Sequence, residues 1–164
     1  MTAPATGGRA SGASRRLGAV TGPARPTVAG MDAATMRSRL AAARVARLAT
    51  VTAGGRPHVV PCCFALDGDT VYSAVDAKPK STLALHRLAN LRATGRASLL
   101  VDHYDEDWSA LWWVRVDGRG RVVEGGPEHD RALAALAAKY DQYRRQTPPG
   151  PVVALDVTSW RAWP

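Results

Sequence analysis

The stretch Val75-Asp76-Ala77-Lys78-Pro79-Lys80-Ser81-Thr82 places two ammonium groups and two hydroxyls next to one another. The surrounding pattern reads as a strand running into a helix. Free backbone N–H groups and the dipole at a helix start add partial positive charge, so this corner could cradle a phosphate. The alternative is an ordinary turn with two solvated lysines, because lysine side chains are mostly exposed. A second polar cluster, Asp102-His103-Tyr104-Asp105-Glu106-Asp107, raises metal binding. Adjacent ligands on an extended segment diverge and no second cluster completes the set, so a polar strand end explains it more simply and no metal is expected. Cys62 and Cys63 are neighbours; on a strand they point to opposite faces and cannot bridge without strain. His58, His86 and His129 have no sequence partner that makes a triad, and neither a nucleophile elbow nor a Walker loop occurs. Hydrolysis and phosphoryl transfer are therefore unsupported.

The elements that must hold these groups follow from periodicity. Met36, Leu40 and Ala43 recur at helical spacing behind Asp32, a capping residue. Residues 45–52 read as a strand, 53–56 as a tight turn, 57–66 as its partner, 67–69 as another turn and 70–75 as a third strand. The opening is thus an antiparallel meander, which disfavours a Rossmann fold. Pro79 suits a first helical turn, and Leu83, Leu85 and Leu88 mark a short helix ending near Asn90. Strands are expected at 97–103, at 111–117 leading on into 121–123, and at 152–160, with a helix from Pro127 to Lys139. The pattern predicts an α+β, mainly β domain. Its six or more antiparallel strands close into a small barrel whose short helices plug the ends.

The chain of 164 residues suits one domain. Residues 1–30 are dominated by small residues and proline, with Leu17, Val20 and Val28 as their only bulky aliphatic side chains; they read as a disordered tail, and Met31 is a second candidate start. The domain then spans 31–164. No apolar run approaches the ~18 residues a membrane span needs. Paucity of cysteine points to a reducing, cytoplasmic setting. The net charge is +8, which could suggest nucleic acid. Arg9, Arg15, Arg16 and Arg25 carry about half of that excess on the tail, leaving no concentrated basic face, so neither a nucleic acid nor a membrane is expected as partner.

Four segments together resemble one family. They are Ala43 to Val51 with Gly55 to Pro61, the Asp76-Ala77-Lys78-Pro79-Lys80 turn, Leu100 to Trp108, and Leu111-Trp112-Trp113-Val114-Arg115. The sequence is similar to the pyridoxamine 5′-phosphate oxidase-like split-barrel superfamily, and more narrowly to its deazaflavin (coenzyme F420)-dependent branch. The resemblance implies a six-stranded split barrel of the FMN-binding type. It also implies a homodimer holding the cofactor between subunits, and hydride transfer to a small organic acceptor. Carried over by position, Lys78, Lys80 and Ser81 would grip the cofactor phosphate, and Tyr72, Ser73 and Ala74 would line its ring system. Pro61 and Cys62 would approach the ring edge through backbone groups, although Cys62 stands where relatives often carry another small or polar residue. Trp108, Trp112 and Trp113 would lie where the partner subunit covers the cofactor. Strand alternation lets only one of Trp112 and Trp113 face it, and the other then belongs to the core. Tyr72 and His58 are the candidate proton donors. FMN, serving an oxidase or flavin reductase, is the alternative cofactor, and a non-enzymatic cofactor carrier is the alternative of another class.

Overall fold

The computed structural model describes residues 30–75 and 83–164. The expectations about the N-terminal tail and about Lys78, Lys80 and Ser81 lie outside the described residues. The elements are α1 (Ala33–Ala42), β1 (Ala46–Val51), β2 (Pro57–Cys62), β3 (Ala65–Asp67), β4 (Thr70–Ala74), α2 (Leu83–Thr94), β5 (Arg96–His103), a short 3-10 turn (Trp108–Ala110), β6 (Trp112–Val123), α3 (Pro127–Lys139), α4 (Asp141–Arg145) and β7 (Val152–Trp163). Asp32 caps α1 as its sequence position suggests, accepting a hydrogen bond from the Thr35 N–H at 2.7 Å.

All strand pairings are antiparallel, in the order β2-β1-β5-β6-β7-β4-β3. The mainly β, split-barrel class stands, with seven strands in place of six. The extra strand arises because the segment 57–66 breaks at Cys63-Phe64. There the Phe64 N–H donates to the Tyr140 hydroxyl at 3.0 Å, and that hydroxyl donates onward to carbonyl oxygens of Phe64 or Arg44 at 2.9 Å. One buried phenol thus satisfies backbone groups that a continuous strand would have paired. Conversely, 111–123 forms one long strand through Gly118 and Gly120, irregular only at Asp117/Gly118. Gly120 is required for packing, because a Cβ there would collide with Leu91 of α2. α2 runs past Asn90 to Thr94 and stops at Gly95, whose φ is 61°.

Strand alternation divides the molecule into an interior and an outer sheet face. Leu48, Leu99, Val101, Val114, Val116, Val71, Val153 and Leu155 fill the interior. α1 packs on the interior through Leu40 and Met36, near Trp112 of β6, and α2 contributes Leu88 and Leu91 near Ala97 and Gly120. Asn90 anchors α2 by donating to the Thr50 hydroxyl at 3.0 Å. On the outer face, α3 and α4 cover only part of the sheet. Ala132, Leu136, Tyr140 and Tyr143 pack on Ala65, Tyr72, Ala74, Val123, Val152 and Ala154.

Candidate functional site

The chain closes its sheet imperfectly. Among the described residues β2 is one edge and pairs only with β1, and its prolines, Pro57 and Pro61, suit an edge strand because they donate no ladder hydrogen bond. Across the barrel, β3 pairs β4 only at Thr70, Val71 and Tyr72. Among the described residues, Ser73 and Ala74 therefore have a ladder on the β7 side alone. Between β2 and the end of β4 lies a split, and the first turns of α2 stand beside it.

The side chains at this split are unusual for a core. Arg87 of α2 is 7% exposed and its Nη2 donates to the Ala74 carbonyl oxygen at 3.3 Å, while its Nε is buried with no partner. Among the described residues no carboxylate pairs with it. Ser73 is 3% exposed and its Oγ is likewise buried without a partner. Cys62 faces the same place. Burial pushes its thiol pKa up, and the nearby Ser73 hydroxyl and Arg87 guanidinium offset part of that cost without Ser73 making a hydrogen bond of ordinary geometry. The His58 ring lies 6.1 Å from that of His86, with its Nδ1 buried and unpartnered. Burying a cation and hydrogen-bonding groups unpaired costs free energy. An anionic or hydrogen-bonding group docked at this corner would offset it, which is the chemistry a phosphate-bearing flavin or deazaflavin presents. The residues in place fit such a group.

The structure separates the other sequence-derived candidates. Tyr72, Ser73 and Ala74 are consecutive on β4, so they cannot share a face. Ser73 turns to the split, whereas Tyr72 and Ala74 lie under α3. The Tyr72 hydroxyl donates to Glu128 at 3.0 Å and receives a hydrogen bond from Arg131 at 3.3 Å. Glu128 also binds Arg121, which reaches Asp156 as well. Its bonds to Arg121 hold the Glu128 carboxyl down at about 2. Trp112 packs against the interior, with the Arg39 guanidinium 4.9 Å from its ring and His103 stacked at 6.0 Å. Trp113 sits on the outer face opposite Trp163 of β7. Trp108 is exposed. Among the described residues, no group of three or more His, Cys, Asp or Glu is placed to hold a metal ion, and none of the helices is long and apolar enough to cross a membrane.

Arg87 was not visible as a site residue from sequence. Arginine on a short helix reads as solvated, and the available signal is its i, i+4 spacing to Leu91 on the buried stripe.

Comparison with known proteins agrees with the fold. The profile of the family described as pyridoxamine 5′-phosphate oxidase matches residues 33–164. A conserved hypothetical protein from Mycobacterium tuberculosis superposes with a TM-score of 0.65 at 22% identity, over 81% of this chain and 84% of that one. An FAD-binding protein from Mesorhizobium loti gives 0.62 at 23%, over 80% and 94%. The heme storage protein HutZ from Vibrio cholerae gives 0.60 at 16%, over 78% and 87%. No curated protein matches the sequence.

Proposed function

The chain belongs to the pyridoxamine 5′-phosphate oxidase family, and from that premise we propose that it binds coenzyme F420 and transfers a hydride to a small organic acceptor. The observation that carries the reading is the split itself: an unpaired β2 edge facing orphaned donors at the end of β4 and on α2. A ring laid along β2 would meet free backbone groups near Pro61 and Cys62. Its anionic tail would reach the Lys78-Pro79-Lys80-Ser81 turn that follows β4 in sequence. When bound, the reduced deazaflavin supplies the hydride for a polarised double bond. The chain's own residues bind, orient and exclude water. His58, whose Nδ1 has no partner, is better placed to deliver the accompanying proton than Tyr72, whose hydroxyl is engaged by Glu128.

The bare outer face supports a homodimer. Val59 is 59% exposed and Trp163 41%. Leu100 and Trp113 lie on the same face by register, and among the described residues no helix covers them. A partner subunit seated there would wall the ring with Trp113. FMN on the same turn is the alternative cofactor. A carrier without turnover is the second reading, favoured by the likeness to a heme storage protein.

The test is a spectral titration of the purified protein with oxidised and reduced deazaflavin beside FMN, followed by a panel of enones, quinones and tetrapyrroles. Submicromolar deazaflavin binding with acceptor reduction is expected. Lys80→Ala should weaken binding by about 1.5–3 kcal/mol, the loss typical of a charge-assisted contact. Binding of FMN alone, binding without turnover, or no binding would each displace the reading.

A further inference from the structure

We propose that a second ligand site lies in the groove between the C-terminal end of α2 and the middle of β6, and that it takes a diphosphate group bridged by Arg96 and Arg119. The groove spans about 670 Å³, the size of a small-molecule pocket, and Leu91, Gly95, Gly120 and Val122 are among the residues that line it. It stands apart from the split. The first turns of the 12-residue helix α2 flank the split and its last turn borders the groove, so the helical rise separates the two by about 18 Å. Arg119 also lies roughly 20 Å along β6 from Trp113, away from the face offered to a partner subunit.

Three observations carry the site. First, register sets Arg96 of β5 directly opposite Arg119 of β6, and both side chains are exposed. Like charges in facing positions repel, whereas an acid in either place would stabilise the pair. Second, neither guanidinium has a hydrogen bond or an ion pair among the described residues, because the neighbouring acids are already engaged. Asp156 faces Arg119 from β7 but accepts from Arg121 at 2.8 Å and from Thr70 at 3.3 Å. Asp117 accepts from Ser98 and Arg115. Glu124, which lines the groove, pairs with Arg92 of α2. Third, the groove is held in place by the backbone. The Gly120 N–H donates to the Gly95 carbonyl oxygen at 2.9 Å, and the stem of Arg119 runs beside Gly95. Arg92, Arg119 and Arg121 leave the lining with an excess of positive charge over Glu124. Planar guanidinium forks match phosphate oxygens, and two of them on adjacent strands supply one fork for each of two linked phosphoryl groups.

The test is calorimetric titration of the full chain with inorganic pyrophosphate, beside citrate as a polycarboxylate and ADP as an organic diphosphate. It is run in the Lys78→Ala/Lys80→Ala background, so that the turn after β4 does not contribute. Pyrophosphate is expected to bind at submillimolar concentration, and citrate about tenfold more weakly. Arg119→Gln and Arg96→Gln should each weaken pyrophosphate binding by about tenfold, the loss of one charged fork. Both side chains are exposed, so these variants should fold. Glu124→Gln should strengthen binding several-fold, because it removes the one carboxylate lining the groove. ADP binding tighter than pyrophosphate would assign the diphosphate to an organic carrier, and weaker binding would assign it to the free anion; either supports the site. No pyrophosphate binding, or equal binding in the background chain and in both arginine variants, would overturn it. Citrate affinity equal to that of pyrophosphate would overturn the assignment to phosphate.

Discussion

The two halves of the outer sheet face are built from the same alternating strands and treated in opposite ways. Over β3, β4, β7 and the end of β6, helices α3 and α4 bury Tyr72, Val152 and Ala154, and Arg121 ties Glu128 of α3 to Asp156 of β7. Over β1, β2, β5 and the start of β6, no described helix lies on the face. Val45 and Val59 remain exposed there, as does Trp163 where the end of β7 meets the start of β6, interspersed with the ion pairs Arg47–Asp102 and Arg115–Asp117. An apolar sheet face left open beside a split lined with unpaired donors has the character of a binding surface. A face sealed by a helix and a charged clamp is a stabilising one. The two halves therefore divide the work, and substitutions in each should fail differently.

The largest stability loss is expected in the sealed half. Leu136 is fully buried between α3 and the sheet, so Leu136→Ala should cost about 2–5 kcal/mol in urea denaturation. Next comes the clamp. Glu128→Gln should cost about 1 kcal/mol, because the pair is roughly a third exposed and solvent screens it. The pH dependence has a definite sign. The native carboxyl of Glu128 is lowered from 4.5 to about 2 by Arg121. Its contribution is complete above about pH 4.5 and is lost as pH falls through about 2, whereas Glu128→Gln should flatten that slope in acid melts. The smallest stability effect belongs to the open half. Val59→Lys should change monomer stability by less than about 0.5 kcal/mol, yet shift sedimentation from dimer to monomer. A dimer that survives Val59→Lys would move the interface elsewhere.

Much of this division could be read in advance. Gly55 and Gly68 take positive φ at the two turns the sequence marks, and Asp32 caps α1. Period-two patterning located the strands, because burial on one face leaves that imprint. What escaped was long-range. The break at Phe64 depends on a tyrosine 76 residues away. The Arg121 clamp joins residues 35 apart, and α4 is a five-residue helix too short to show periodicity. At the site, strand positions were legible, but the facing of neighbours was not. Tyr72 and Ser73 share a strand and a resemblance, yet only Ser73 turns to the split. Arg87 was hidden because an arginine carries no mark of burial in sequence.

The division is tested most directly by titrating deazaflavin into Val59→Lys and Glu128→Gln side by side, with melting temperature recorded for each. The account predicts that Val59→Lys loses affinity at least tenfold while melting near the wild type, and that Glu128→Gln melts lower while binding as the wild type does. Wild-type affinity in Val59→Lys, or loss of binding in a folded Glu128→Gln, would contradict it.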